Sequence, residues 1–199
     1  MVVWEARDDE TPFDPSGLRR RGEIRDRREL AAAEARNINR AVRKYLVSRP
    51  SVRSARFDYT WALKLHREMF GEVWTWAGKP RTRDLNLGDP HHRIRERLAA
   101  LIADLHSWSD YGHPIELQAV WLHHRAVQIH PFLNGNGRWS RLLANIWLRQ
   151  NGAPIVEWPD GSLGEAGEAR AEYIAAVKAA DDGDYDPLLA FHRRHRMSD

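Results

Sequence analysis

Between Gly137 and Gln150, the side chains of Trp139, Leu142, Leu143, Ala144, Ile146, Trp147 and Leu148 lie almost all round a helix. A helix without a polar face must be wrapped by other elements, so this stretch predicts a central buried rod. An apolar fraction of 42%, with nine Trp, in 199 residues is enough to wrap it. That length suits one domain with an appended arm.

The wrapping elements are read from periodicity. Asp26–Leu46 is predicted helical, with Leu30, Ala31, Ile38 and Val42 as its apolar positions. Asp58–Met69 is a second helix, with Trp61, Leu65, His66 and Met69 on one stripe, and His91–Trp108 a third. Another opens at His113-Pro114, with Pro114 in its first turn, and carries Leu117, Val120, Trp121, His124 and Val127 on one face. It must end near Ile129, because His130 precedes Pro131 and is pushed out of the α region. Glu165–Ala180 and Pro187–His195 complete the set. The segment 71–90 is rich in turn formers and predicts a small β-hairpin around Arg81–Leu87. The expected class is mainly α, a helical bundle with a central buried helix and a small hairpin flap. Its expected parts are an arm at 1–25, an N-terminal helix at 26–48 and a core domain at 57–195.

Composition removes several functions. There is no cysteine, which excludes disulfides, thiolate catalysis and Cys-ligated zinc, and suits a reducing, cytoplasmic setting. No run approaches the roughly 18 apolar residues of a membrane span, and the first residues do not read as a secretory leader. Lys+Arg 31 against Asp+Glu 28 leaves +3, too little for a dedicated nucleic-acid binder. Arg19-Arg20-Arg21 and Arg193-Arg194 read as solvated charge runs, so no direct nucleic-acid partner is expected.

One stretch carries chemistry: His130-Pro131-Phe132-Leu133-Asn134-Gly135-Asn136-Gly137-Arg138-Trp139-Ser140-Arg141. A glycine-bounded loop between two helices can turn its amides toward one point, and it runs into a helix N-terminus with partial positive charge. Both features favour anions. Arg138 and Arg141, three apart on the first turn, suit phosphate oxygens. His130 titrates in the range of a general base for a hydroxyl. Asn136 offers an amide and a backbone N–H to an oxyanion, and Phe132 reads as an anchor. Together they fit phosphoryl or nucleotidyl transfer.

The stretch resembles the Fic family signature H-x-F-x-[D/E]-G-N-G-R-x-x-R at all fixed positions but one. Phe70–Arg81 and Tyr173–Ala176 with Gly183–Leu188 are similar to further family segments, and the variant HPFxNGNGR is also similar to the subgroup called "mobile mystery protein B". The resemblance implies AMP transfer from ATP to a Ser, Thr or Tyr hydroxyl of a target protein. His130 would take the hydroxyl proton, assisted by Asn136 and Arg138. Gly135, Asn136 and Gly137 would form the anion hole, and Arg138 and Arg141 would hold the β- and γ-phosphates. The flap residues Arg81, Thr82, Arg83, Asp84, Leu85, Asn86 and Leu87 would hold the target by strand addition. Asn134 stands where the family has the carboxylate that holds Mg²⁺ or Mn²⁺, so metal binding is expected to be weaker. Glu34 loosely matches the family's inhibitory glutamate, which pairs with the second arginine, here Arg141. The alternative for Glu34 is a solvated helix residue.

Two other readings remain open on these residues. One is a catalytically weakened Fic-fold protein, toxin-like or partner-binding, with an antitoxin-like partner or a second copy of itself. The other is zinc hydrolysis through His123, His124 and His130, with His91-His92 as a second pair. H-E-x-x-H is absent, and neighbouring histidines on a helix point about 100° apart.

Overall fold

The computed structural model describes residues 15–19, 24–159 and 167–197. Among these residues the fold is mainly helical, as expected: α1 (Arg27–Leu46), α2 (Tyr59–Phe70), α3 (Ile94–Asp110), α4 (Ile115–Ile129), α5 (Asn136–Gln150), α6 (Glu168–Asp181) and α7 (Asp186–Arg194). None of them is long and apolar enough to cross a membrane. Most of the arm, and the start of the helix expected from Glu165, lie outside the described residues.

The central rod is α5. Trp139, Leu142, Leu143, Ala144, Ile146, Trp147 and Leu148 are all buried in it, and so are the polar Ser140 and Asn145. Asn145 spends both ends of its amide on Val156, at 2.8 and 3.0 Å, and thereby ties the chain after α5 back to the rod. Around α5 lie α4, α1 and α2, with α3 outside α4. A second apolar cluster, from Val120, Tyr173, Ala176, Ala180, Leu188 and Phe191, fastens α6 and α7 to the far side of α4.

That sandwiching changes the expected face of α4. Val120 and His124 are buried, but Leu117, Trp121 and Val127 are only half-buried. The buried set is Gln118, Ala119, Val120, Leu122, His123, His124, Ala126 and Ile129, which runs round most of the helix. Packing against α3, α5 and α7 leaves α4 without a single inner stripe. On α1 the stripe is also different. Leu30, Glu34, Asn37, Ala41 and Tyr45 are buried, at intervals of three and four residues, whereas Ala31 is exposed and Ile38 and Val42 are half-buried. Two polar residues on this stripe hide it from a hydrophobicity count.

The expected hairpin is absent. Residues 81–87 form an irregular loop, and the only β pairings among the described residues are the isolated bridges Leu18↔Trp74 and Val156↔Arg196. The reason lies at Arg81. Its side chain points inward and ties this loop's backbone to the neighbouring loop instead of to a partner strand. The described part of the arm packs onto this domain. Arg19 N donates to Val73 O at 2.9 Å and Thr75 N to Gly17 O at 2.9 Å.

Candidate active site

Helix α4 stops at His130, whose backbone is left-handed at φ 50°, ψ 58°. That conformation costs a side-chain-bearing residue roughly 1–2 kcal/mol, so something must hold it. The loop then turns over Phe132, which is fully buried, stacked on His66 at 3.6 Å between ring centres and edge-on to Trp139. Asn136 closes the turn. Its Oδ1 accepts from Phe132 N at 2.9 Å, and its Nδ2 donates to Phe132 O at 2.8 Å. The expected side-chain contact of Asn136 with an oxyanion is therefore corrected: this amide braces the loop, and the backbone N–H is what Asn136 can offer.

Gly135 is the N-cap of α5, at φ 78°, and no side chain caps the helix there. The first N–H groups of α5, from Asn136, Gly137 and Arg138, thus have no intrahelical acceptor and add to the dipole's positive end. A Cβ on Gly135 would come within 2.6 Å of the Phe70 ring, so only glycine fits. Gly135 N donates to Asn134 Oδ1 at 2.5 Å. The side-chain oxygen expected to meet a metal is therefore matched with one of the loop's own amides. A metal on that oxygen and a phosphate on that amide would replace this one contact with two stronger ones.

His66, in the middle of α2, is a support that sequence reading placed only in the core. It is fully buried, and burial lowers its pKa to about 3. Gly78 N–H donates to its Nδ1 at 3.0 Å, so the ring proton sits on Nε2 and is donated to Asn134 O, 3.0 Å away. One neutral imidazole thus connects the segment before the flap to the anion loop. Its sequence signal was a histidine on an otherwise apolar stripe, one turn before Phe70.

The two arginines differ in their surroundings. Arg138 Nη1 donates to Glu34 Oε2 at 2.5 Å and lies over the Phe70 ring at 4.8 Å. The other oxygen of Glu34 accepts from Trp74 Nε1 at 2.6 Å. Glu34 is 8% exposed, so it is not a solvated helix residue. The expectation that it would pair with Arg141 is corrected to Arg138, because the α1 stripe faces the first turn of α5. Arg141 lies over the rings of Trp158 at 5.8 Å and Tyr173 at 6.0 Å. Behind Tyr173, a buried hydrogen-bonded chain runs from its hydroxyl to His123 at 3.1 Å and on to His192 at 3.1 Å.

His130 is half-buried, and its pKa is lowered to about 4, first by burial and then by the charge of Arg81. It is therefore a neutral imidazole at pH 7, able to accept a proton. Arg81 is 3% exposed and gives its guanidinium to the carbonyls of His130, Arg83 and Asp89, which corrects its expected role as a target contact. Thr82, Arg83, Asp84, Asn86 and Leu87 remain exposed, with Leu85 half-buried. Asp84 also accepts from His91 N at 2.7 Å and so tethers the loop to the start of α3.

The zinc reading fails on geometry. His123 is bound to His192 and Tyr173, His124 to Asp181 and Tyr185, and the His130 backbone to Arg81, so the three face different neighbours. No metal-binding group of three or more His, Cys, Asp or Glu occurs among the described residues.

Residues 56–148 match the family model described as Fic/DOC family. The protein adenylyltransferase fic-1 of Caenorhabditis briggsae is 33% identical over 139 residues, which span 67% of this chain and 26% of that protein. The chain thus covers about a quarter of the curated relative it matches. The structure of Fic-1 from C. elegans superposes with a TM-score of 0.69 at 27% identity, over 86% of this chain and 49% of that one. BepC of Bartonella tribocorum, solved with bound AMPPNP, shares the fold, with a TM-score of 0.64 at 18% identity over 88% of this chain and 90% of its own.

Proposed function

We propose that this chain, whose residues 56–148 match the Fic/DOC family model, transfers AMP from ATP to a hydroxyl side chain of a protein. The observation that carries this reading is the one loop that ends in a neutral histidine on one side and opens on the other into an uncapped helix start flanked by Arg138 and Arg141. A triphosphate suits the second end, and a hydroxyl suits the first. The family name and the adenylyltransferase relative support the nucleotide, and the AMPPNP in BepC is in keeping with it.

In this reading His130 takes the proton of the target hydroxyl as its oxygen bonds to the α-phosphorus. The bond from that phosphorus to the bridging oxygen breaks, and pyrophosphate leaves with the electron pair. The free N–H groups of Asn136 and Gly137 receive charge on the phosphate oxygens, joined by that of Gly135 once it leaves Asn134 Oδ1, and such preorganised donors are where most of the acceleration arises. Arg138 and Arg141 bind the outer phosphates. Asn134 would offer one neutral oxygen to a Mg²⁺ or Mn²⁺ brought largely by the nucleotide, and that ion would supply charge neutralisation. The exposed flap residues Thr82, Arg83, Asp84, Asn86 and Leu87 face the target.

Glu34 acts as a brake. Its carboxylate occupies the Arg138 guanidinium that a phosphate needs, and Trp74 holds it there. The brake also favours one alternative, a Fic-fold protein that is quiet in isolation and serves mainly as a partner or toxin-like module.

Incubation with α-labelled ATP and Mg²⁺ or Mn²⁺ separates these readings. Glu34→Gly is expected to label itself or an added protein at least about tenfold faster than the unaltered chain. His130→Ala in the Glu34→Gly background is expected to lose the label. A Glu34→Gly protein that binds ATP but forms no labelled product with either metal sinks the transferase reading.

A further inference from the structure

The left-handed backbone of His130 is held by the flap. Arg81 Nε donates to His130 O at 2.8 Å, and Arg81 N donates to Pro131 O at 2.9 Å. Just before the histidine, Asp89 N donates to Ile129 O at 3.3 Å. The carbonyls before, at and after position 130 are therefore all bound by one short segment. The remaining arms of the Arg81 fork reach Arg83 O and Asp89 O, so the same guanidinium also folds the flap onto itself. Asp89 is fixed from outside by Arg97 of α3 at 2.9 Å. Gly88, at φ 97°, lies so close that a Cβ on it would meet the His130 Cβ at 2.4 Å.

We infer that Arg81 is a positioning residue for the reaction: it aims the His130 imidazole by fixing its backbone. The inference rests on the reading of His130 as the base. Lysine could not replace Arg81, because a single ammonium cannot bridge carbonyls set apart in a plane. The arrangement also explains a conflict at Arg81. A flap arginine reads as a target contact in the sequence, yet burying it costs solvation that only a dense set of carbonyl acceptors offsets.

The cation has a second effect on the same ring. Of the charged groups around His130, Arg81 of the flap acts on it directly, and Asp84, 3.6 Å from Arg81, and Asp89 temper that charge. Arg97 is occupied by Asp89, and Arg138 of α5 by Glu34. A cation beside the ring disfavours the imidazolium, so the imidazole is free of its proton at neutral pH.

The test uses the full chain with Arg81→Gln, Arg81→Lys and Gly88→Ala. The His130 ring is titrated by NMR, ATP affinity is measured by calorimetry, and transfer is measured in the Glu34→Gly background. In Arg81→Gln the ring midpoint is expected to rise above about 4, while burial still holds it below its ordinary value of about 6.5. ATP affinity should stay within about twofold while kcat falls about tenfold or more, since the phosphate end is untouched. Arg81→Lys should keep the low midpoint and still lose kcat, which separates aim from charge. Gly88→Ala puts a methyl against the His130 Cβ and the Arg81 fork, so it shifts the ring and its brace together without changing the charge, and it should lower kcat with ATP affinity kept, which tests the aim if Arg81→Gln does not fold. An unmoved His130 midpoint in a folded Arg81→Gln, or ATP affinity lost in step with kcat, overturns the inference. So does full kcat in Gly88→Ala. Should no variant of the chain transfer label at all, the transferase reading falls, and the NMR titration still tests Arg81.

Discussion

At the scale of single residues, this site differs from the Fic signature in one side chain, the amide of Asn134 in place of a carboxylate. The neutral oxygen accepts the Gly135 N–H at 2.5 Å, a contact that closes the loop in the absence of ligand and gives a hard cation little to hold. Asn134→Asp is expected to lower the Mg²⁺ concentration for half-maximal labelling by about tenfold, equivalent to about 1.4 kcal/mol. A metal titration in the Glu34→Gly background checks it, and an unchanged half-saturation point would mean that the nucleotide alone carries the metal. The role of Asn134 was open to sequence reading because it stands inside a contiguous motif. Those of His66 and Arg81 were not, since each acts on a residue about fifty or more positions away.

At the scale of elements, α1 is the part that joins Glu34, the proposed brake, to the fold. Asp26 caps it by accepting from Glu29 N at 2.8 Å, and Glu29 reaches back to accept from Arg25 N at 2.6 Å. Two turns on, Glu34 lies on the buried stripe with Leu30, Asn37, Ala41 and Tyr45. Loss of the cap costs a helix about 1 kcal/mol. Asp26→Ala is therefore expected to speed amide exchange in the first turns of α1 and to raise basal labelling above that of the unaltered chain, though less than Glu34→Gly does. Unaltered exchange and unaltered labelling would show that α1 is held by its packing alone. The helix itself was legible from the spacing of its apolar positions, but its inner face was not. A glutamate and an asparagine occupy that face because they have partners, Arg138 and Trp74 for Glu34 and Arg40 for Asn37.

For the whole molecule, buried imidazoles couple stability to pH. The pKa values of His66 and His192 are lowered to about 3 and that of His130 to about 4, and His123 is held well below the usual range, with burial as the leading cause in each. The unfolded chain protonates these rings near pH 6.5 while the folded one does not, so unfolding takes up protons below that pH. Stability is complete above about pH 6.5 and falls as pH drops toward 4, by roughly 1.4 kcal/mol per pH unit for each ring. Thermal melts from about pH 7.5 to about pH 4.5 are expected to show Tm falling steeply below about pH 6.5, and less steeply in His192→Phe. A flat Tm over that range would refute it. The sequence by itself determined the helical class, the central α5 and the loop that leads into it. These follow from near-neighbour periodicity and from a motif whose parts lie within one turn and one helix start. Only the tertiary structure decided which arginine meets Glu34, where the Arg81 guanidinium goes and why the flap is not a hairpin. Those outcomes depend on which buried polar groups find acceptors across the bundle, and burying a charge is so costly that distant partners override local preference.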